Sequence, residues 1–402
     1  MNTQLKTIFV FLFLVCTLRG TAQNFSIDYP SYQNRNSDAL EISRIVRNDT
    51  ATILYMDAYS RPNYWIRLAS GLSLHGNQTG KNYPIIRSQG FELDKEVYMP
   101  ASGNVTFSLQ FAPLAPQEKM IDFIEGANKG DFQIKSISLN EQEKKGKIHC
   151  HISGKVIDSP QSSRLVLMKA HKNPSSSPWL SIPIRNGEFQ YDFYADHEEV
   201  YEVFIWNDML TGSWLPSLFF AENGPVSFTL YPASTRKPGL VSTSNPLTCE
   251  LQQLESERKA KFNFDSLYAQ MNKLYEENRF ESEALQTLWK RIEQVKDNNE
   301  ERNNIYRERD RLEESGEAYT EEGKALLVKI KQLNEEMNQW TIKHIKQNPS
   351  LPGLYVLTSK TEMARKGEDV TPFLNAYQET FASLYPEHPV SYTHLTLPTS
   401  DL

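Results

Sequence analysis

The chain changes character abruptly near residue 249. Before that point, apolar and polar residues alternate in short runs separated by turn residues, which is the pattern of half-buried β-strands. From residue 249 to 348 the sequence is highly charged and almost free of glycine and proline, and its apolar residues recur at helical spacing. The sequence therefore predicts a multidomain β plus α fold. Two antiparallel β-sandwich or barrel-like domains would be followed by an α-helical hairpin and short helices.

The first β domain is expected at residues 24–140. Leu54, Met56 and Ala58 would share one face of a strand, and residues 105–111 repeat the alternation after a turn. Short strands separated by turn signals favour an all-β sandwich. The charged residues 141–147 are interpreted as a boundary.

A second β domain is expected at residues 147–232. Ile148, Cys150 and Ile152 would face one way along its first strand. The pair Asn186 and Gly187 predicts a two-residue hairpin, because both central positions of such a turn need positive φ. Residues 233–248 are rich in Ser, Thr, Pro and Gly, which predicts a linker.

The helical part is predicted as two amphipathic arms at residues 249–348, paired antiparallel. Residues 297–323 between them are polar nearly all round and would form a solvated tip. The charges of this tip are interpreted as a solvated face, with a partner-binding arm as the alternative. Pro349 would end the hairpin, and residues 350–389 are expected to form a helical connector.

Residues 1–22 have the features of a signal peptide. Lys6 supplies the positive charge, residues 8–18 are an apolar run too short to span a bilayer comfortably, and Gly20 and Ala22 fit a cleavage site. An uncleaved anchor helix is the alternative, while lipid attachment at Cys16 is disfavoured because Val15 stands where a small residue is needed. The mature chain is therefore expected to be exported to the periplasm or cell envelope, with no transmembrane segment after cleavage.

Residues 390–402 do not resemble natural protein. Their codons can be spelled as a transposon-library sequencing adapter. We therefore expect this segment to be adapter-derived and the natural reading frame to be cut at about Pro389.

The net charge of −7 gives no electrostatic basis for binding a nucleic-acid backbone or for polybasic membrane attachment. Cys150 and Cys249 would remain after cleavage, without a Cys-x-x-Cys motif. A disulfide between them is conceivable in an oxidising compartment, but two unpaired thiols with Cys150 buried are favoured.

Two pairs of residues were weighed as sites of chemistry. His149 and His151 share a strand face and could present two imidazoles to a metal, but a solvent-facing pair is favoured. Asp122 and Glu125 could act as paired carboxylates in a hydrolase, but a turn with charged caps is favoured. We predict no catalytic, cofactor-binding or metal-binding residue, and no cofactor.

Aromatic residues on the predicted strands could form a sugar- or peptide-binding surface, although core positions are favoured. The residues concerned are Tyr64, Trp65, Trp179, Trp206 and Trp214. Glycosylation sequons occur at Asn24, Asn48, Asn77 and Asn104 and would matter only in a eukaryotic secretory pathway.

Four stretches resemble exported thioredoxin-like proteins of Bacteroidota, of the TlpA/ResA kind. The first β domain contains GKNY at 80–83, FSLQFAPL at 107–114 and DFIEG at 122–126. The second contains ISGKV at 152–156, IRNGEF at 184–189 and FFAENGPV at 219–226. The third and fourth stretches are IKQNPS at 345–350 and FASLYPEH at 381–388.

The resemblance implies a signal peptide, β domains of unknown function, a helical spacer and then a thioredoxin-like domain that performs thiol–disulfide exchange. Neither Cys150 nor Cys249 can inherit a role in that exchange. We therefore expect this chain to be the truncated N-terminal scaffold or docking region of an exported thiol–disulfide oxidoreductase, without a catalytic site of its own. Its partners would be envelope protein clients or a redox partner, with self-association through the helical arm. The alternative is a non-enzymatic envelope binding or assembly protein.

Overall fold

The computed structural model describes residues 25–128, 130–140, 145–159, 161–174, 177, 179–295, 298–364, 368–386 and 388. The predicted signal peptide and residues 390–402 lie outside these ranges. The fold class is confirmed: curled β sheets come first and helices follow.

The first β unit contains eleven described strands, most of them in one antiparallel nine-stranded sheet of order β1-β3-β4-β9-β7-β6-β10-β11-β2. Their bounds are β1 (Phe25–Asp28), β2 (Asn34–Arg35), β3 (Leu40–Arg47), β4 (Thr52–Tyr59), β5 (Trp65–Ile66), β6 (Ser73–Gly76), β7 (Asn82–Gln89), β8 (Val97–Tyr98), β9 (Asn104–Phe111), β10 (Met120–Ile124) and β11 (Gln133–Ser138). The short strands β5 and β8 pair separately. Leu54, Met56 and Ala58 are fully buried on one face of β4, as their alternation predicts.

The second β unit packs two four-stranded sheets around a shared apolar core. One sheet has the order β15-β12-β18-β19 and the other the order β14-β13-β16-β17. The strands are β12 (Ile148–Val156), β13 (Arg164–Lys169), β14 (Leu180–Pro183), β15 (Glu188–Ala195), β16 (Val200–Ile205), β17 (Ser217–Phe220), β18 (Gly224–Leu230) and β19 (Leu240–Thr243), with the short helix α1 (Trp206–Leu210) after β16. All of these neighbours are antiparallel except β12 and β18, which are parallel.

Two details of this unit bear on the sequence predictions. Asn186 and Gly187 both have positive φ, at 54° and 77°, so the predicted hairpin turn between β14 and β15 is confirmed. The predicted linker is not all loop, because Leu240–Thr243 forms β19 and pairs with the edge of β18.

The helical part is divided more finely than two arms and a tip. Its helices are α2 (Pro246–Lys261), α3 (Asp265–Glu276), α4 (Glu283–Gln294), α5 (Asn299–Ser315), α6 (Glu321–Gln347), α7 (Leu351–Glu362) and α8 (Thr371–Thr380). α4 and α5 form a helical hairpin, while α3 packs against α6. The first arm is interrupted because Asn278 adopts a left-handed conformation after α3 and Ser282 caps α4 by accepting a hydrogen bond from the Leu285 amide.

The predicted solvated tip also differs from the structure, because it contains α5. Asn298 caps that helix and Gly316, at φ 73°, ends it. Ile305 is its one fully buried side chain and packs with Leu285 and Leu288 of α4. Leu312 of α5 packs against the same cluster, partly buried, so two apolar positions dock a helix that is otherwise polar.

α2, α7 and α8 pack together against the second β unit. Phe220 of β17 shares a core with Leu251, Leu354 and Phe381. None of the helices in the described part combines the length and the apolar character that crossing a bilayer requires.

Candidate functional site

A cleft of about 910 Å³ lies between the two β units. The first unit contributes β1, the loop after it and parts of β3 and β4, and the second contributes parts of β12 to β16. Aromatic residues from both units line it: Tyr29, Tyr32, Tyr59, Trp179, Tyr191, Phe193, Tyr194 and Tyr201. We call this cavity the tyrosine cleft. Its volume lies within the range of small-molecule and peptide sites.

Several phenol groups of the tyrosine cleft are left to solvent or a ligand. The rings of Tyr29 and Tyr191 contact each other across the two units, with centroids 4.2 Å apart. Burial raises the pKa of Tyr29, Tyr32, Tyr191 and Tyr201, so all four hydroxyls stay protonated at neutral pH. Within the described part of the chain, no hydrogen bond engages the phenol oxygens of these four residues. They can therefore both donate to and accept from a bound molecule.

Most of the charged residues around the tyrosine cleft are paired with one another. Lys147 lies 3.1 Å from Asp196, and Lys169 lies 2.6 Å from Glu199. Asp57 accepts from Arg185 at 3.3 Å. Further pairs are Lys172 with Glu362 and Arg35 with Glu41. Asp28 and Asp192 also line the cleft and form no ion pair with a lysine or arginine among the described residues, so the cleft favours ligands that are not acidic.

One buried guanidinium joins the two β units beside the cleft. Arg164 of β13 is 1% exposed, and its two terminal nitrogens donate to the carbonyl oxygen of Asp38 at 2.8 Å and to its carboxylate at 3.2 Å. The guanidinium also stacks over Trp206 at 4.1 Å and Tyr59 at 4.4 Å. Its Nε, the Trp206 Nε1 and the Tyr59 hydroxyl are buried without a hydrogen-bond partner among the described residues.

The predicted histidine pair lies at the rim of the tyrosine cleft, with a carboxylate that the sequence analysis did not connect to it. His149 Nε2 and His151 Nδ1 both contact the same oxygen of Asp192 on the neighbouring strand β15, at 2.7 and 3.0 Å. Burial opposes ionisation of Asp192, but hydrogen bonds from His151 and His149 more than offset it and lower its pKa. Both imidazoles point at one oxygen, and no metal-binding cluster of three ligands is found in the described ranges.

The two carboxylates considered for acid–base chemistry bind backbone amides of the first β unit. Glu125 accepts from the amides of Ala69 at 2.6 Å and Phe132 at 2.8 Å. Asp122 accepts from the amide of Ser136 at 2.8 Å. Acceptors engaged in this way stabilise turns, so these contacts favour the capping interpretation over a hydrolase.

The predicted aromatic residues are divided among three places. Trp179 lines the tyrosine cleft, and Trp206 and Trp214 belong to the aromatic layer around Phe204. Tyr64 and Trp65 are about half exposed on the first unit, where Trp65 pairs across strands with Tyr98, and they do not line the tyrosine cleft. The five residues therefore do not form one surface.

The two cysteine side chains lie in different environments. Cys150 is buried and its thiol donates to the carbonyl oxygen of Glu222 at 3.3 Å, while Cys249 is exposed on α2. Burial raises the pKa of Cys150 to about 12. A thiol with so high a pKa is a poor nucleophile at neutral pH.

The sequons stand on the first β unit. Asn48 and Asn77 lie in turns and Asn104 begins β9, while Asn24 lies outside the described residues.

Comparisons with known proteins give no family. No family model and no curated protein matches the chain. A solved structure to which it is similar is the CBM26 carbohydrate-binding module of Amy13K from Eubacterium rectale with maltoheptaose, at 11% identity over 44% of this chain and 93% of that one, with a TM-score of 0.18. Two others are pullulanase type I from Bacillus subtilis with maltose (10% identity, 42% of this chain, 23% of that one, TM-score 0.13) and elongation factor SelB from Methanococcus maripaludis (8%, 51%, 46%, TM-score 0.13). TM-scores this low carry no argument about fold or function.

Proposed function

We propose that this chain is a non-catalytic docking scaffold of the cell envelope, in which the tyrosine cleft binds a client. The observation that carries the proposal is the joint construction of the cleft. Rings from both β units line it, and the buried contact between Arg164 and Asp38 holds the two units together. A preformed cavity with aromatic walls and a few convergent polar groups is the usual form of a binding site.

The same proposal makes this chain the supporting part of an exported thiol–disulfide oxidoreductase. The support is the resemblance of its motifs to the thioredoxin-like group. The cysteines fit a supporting role: the Cys150 thiol is buried, and Cys249 has no second cysteine three positions away, as a Cys-x-x-Cys motif requires. The helices would then space or dimerise the redox unit, with α2, α7 and α8 anchoring them to the second β unit.

Binding is tested by filling the cleft. Ser31 lines it and is exposed, so the substitution Ser31→Trp would occupy space there without disturbing a core. The probe is a fluorescently labelled, carboxymethylated protein that cannot fold. We expect it to bind the wild-type chain and to lose affinity for Ser31→Trp. Ser102→Trp, at an exposed turn of the first unit, is the matched control and should bind normally. Equal binding to both variants would contradict the proposal.

The redox assignment is tested separately with an insulin reduction assay. The purified chain should not accelerate the reaction, and Cys150→Ser and Cys249→Ser should behave like the wild type. Turnover that depends on either cysteine would overturn the supporting role. If the natural gene encodes no Cys-x-x-Cys motif after residue 389, the non-redox alternative, an envelope binding or assembly protein, is favoured instead.

A further inference from the structure

Strand β1 presents an unpaired edge to the tyrosine cleft. It is the terminal strand of the nine-stranded sheet and pairs only with β3 among the described strands. The Tyr29 amide donates to the Ser43 carbonyl oxygen at 2.9 Å, so Tyr29 directs its backbone groups toward β3. Because this orientation alternates along an antiparallel pair, Asp28 directs its N–H and C=O away from β3. Asp28 lines the cleft.

Strand β15 presents a second edge to the same cavity, and within its sheet it pairs only with β12 among the described strands. The Val156 amide donates to the Gly187 carbonyl oxygen at 2.8 Å, and the register continues with Ile152 opposite Tyr191. Alternation then directs the backbone groups of Asp192 away from β12. Glu188 shares that orientation and bonds to Arg185 in the hairpin. Beyond the hairpin, β14 and β15 belong to different sheets, so no described strand pairs with the edge where Asp192 lines the cleft.

The two strand edges favour an extended polypeptide as the ligand of the cleft. A row of outward N–H and C=O groups is a template for strand addition, in which main-chain hydrogen bonds give affinity. Successive side chains of an added strand point to opposite faces, so alternate residues would meet the rings of the cleft. A glycan could stack on the same rings but would leave both edges unpaired.

The charges define the occupant further. The lysines around the cleft are paired with Asp196, Glu199 and Glu362, and Asp57 is paired with Arg185. An acidic ligand would have to compete with the carboxylates for these lysines and would be repelled by Asp28 and Asp192, which line the cleft without a lysine or arginine partner among the described residues.

We propose that an extended segment of a client polypeptide, without acidic residues, binds in the tyrosine cleft by adding a strand to the free edge of β1, with the edge of β15 bounding its other side. This inference rests on the proposed docking function and names the chemistry of its ligand. It requires the backbone N–H of Asp28, not the carboxylate.

The probe is a fluorescein-labelled, end-blocked peptide of about ten residues that alternates Ile and Thr, a length typical of strands. Asp28→Pro removes the outward N–H from an edge position, where proline is tolerated. Asp28→Ala is the matched control, because it removes the carboxylate and keeps the N–H. Loss of a backbone hydrogen bond should weaken peptide binding about tenfold in Asp28→Pro, while Asp28→Ala should bind as the wild type does. N-methylation of every second residue of the peptide blocks either the N–H groups that face β1 or those that face away from it. The version whose blocked N–H groups face β1 should bind weakly.

Hydrogen exchange on the wild-type chain gives a readout that does not depend on a variant's folding. The Asp28 amide should exchange more slowly when the peptide is bound. Unchanged exchange at Asp28, or equal binding of the peptide to Asp28→Pro, overturns strand addition. If cellohexaose binds and is blocked by Ser31→Trp while the peptide does not bind, the inference fails and the docking function stands. If sedimentation shows that a second copy of the chain occupies the cleft, the inference fails as well.

Discussion

Arg164 and Asp38 form a charge-assisted contact between the two β units, and only the arginine is buried. The guanidinium is 1% exposed in its side chain, whereas the Asp38 side chain is 47% exposed. Arg164 donates to both the carbonyl and the carboxylate of Asp38, at 2.8 and 3.2 Å. The two ends of this contact should therefore respond differently to mutation.

Asp38→Ala would leave a buried cation without its carboxylate. Removing one partner of a fully buried pair typically costs about 3–5 kcal/mol, but Asp38 is half exposed and its backbone carbonyl remains as a partner, so we expect a loss of about 1–3 kcal/mol. Chemical denaturation of the variant measures this change in the free energy of unfolding.

Asp49→Ala, at an exposed turn of the same unit, is the control and should change the free energy of unfolding by less than about 0.5 kcal/mol. Replacing Arg164 by Met removes the charge that needs compensation, so Arg164→Met with Asp38→Ala should be more stable than Asp38→Ala alone. If the double variant is the less stable of the two, the contact is not electrostatic in origin.

The cysteines should differ in reactivity. Cys150 is buried and its pKa is raised to about 12 by that burial, whereas Cys249 is exposed. Iodoacetamide should therefore alkylate Cys249 in the native protein at pH 8 and reach Cys150 only after unfolding. Mass spectrometry of the digested protein reports both sites. Rapid native labelling of Cys150 would show that its strand opens, and Cys249→Ser confirms the assignment of the reactive site.

The second β unit should lose stability as pH rises through the neutral range because of Glu202. This residue of β16 is 5% exposed, and burial raises its pKa to about 7, although a backbone hydrogen bond from His171 opposes the shift. The folded chain thus binds the proton more tightly than the unfolded chain, in which a glutamate has its ordinary pKa. The contribution is fully present below about pH 4.3 and is lost as pH rises to about 7.

Glu202→Gln mimics the protonated side chain and tests this directly. Its melting temperature should exceed that of the wild type at pH 8 and approach it at pH 5. His171 and His388 have pKa values lowered by burial, so their contribution runs in the opposite direction, and both residues are unchanged in this comparison. Glu188→Gln, on the exposed edge of the same unit, should follow the wild-type profile. Parallel profiles for wild type and Glu202→Gln would exclude Glu202 as the source.

Local patterns predicted most of the elements that bury one face. Period-two alternation located β4, β9 and β12, and the Asn186–Gly187 pair located a hairpin, because those signals depend only on neighbours in sequence. The ends of the helices were harder to predict from the sequence. Asn278 and Ser282 are residue types that often end or begin a helix, but the apolar residues on either side of them keep helical spacing, which favoured one long arm.

The tyrosine cleft was not predictable in the same way. Tyr29, Trp179 and Tyr191 come together only when two separate units pack, and nothing in their local spacing indicates this. The sequence indicated Trp179 as a candidate for an aromatic binding surface, but it did not indicate which residues would surround it. Asp192 was missed beside His149 because the contact is made across paired strands, and the register of two strands is set by their turns and packing.

The helical part contains a close approach that a single methyl group should disturb. Gly323, in the first turn of α6, lies so near the Phe280 carbonyl oxygen that an added Cβ would stand 2.4 Å from it. That carbonyl cannot easily retreat, since it accepts a hydrogen bond from the Thr320 amide at 3.1 Å and belongs to a buried residue. Alanine in a helix is favoured over glycine by up to about 1 kcal/mol, whereas overpacking costs about 1–3 kcal/mol. Gly323→Ala should therefore lower the free energy of unfolding by about 1–2 kcal/mol.

Gly71→Ala, where the new methyl group meets nothing within 4 Å, is the control and should be near neutral in the same denaturant titration. A stabilised Gly323→Ala would mean that α6 and the segment after α3 are free to separate.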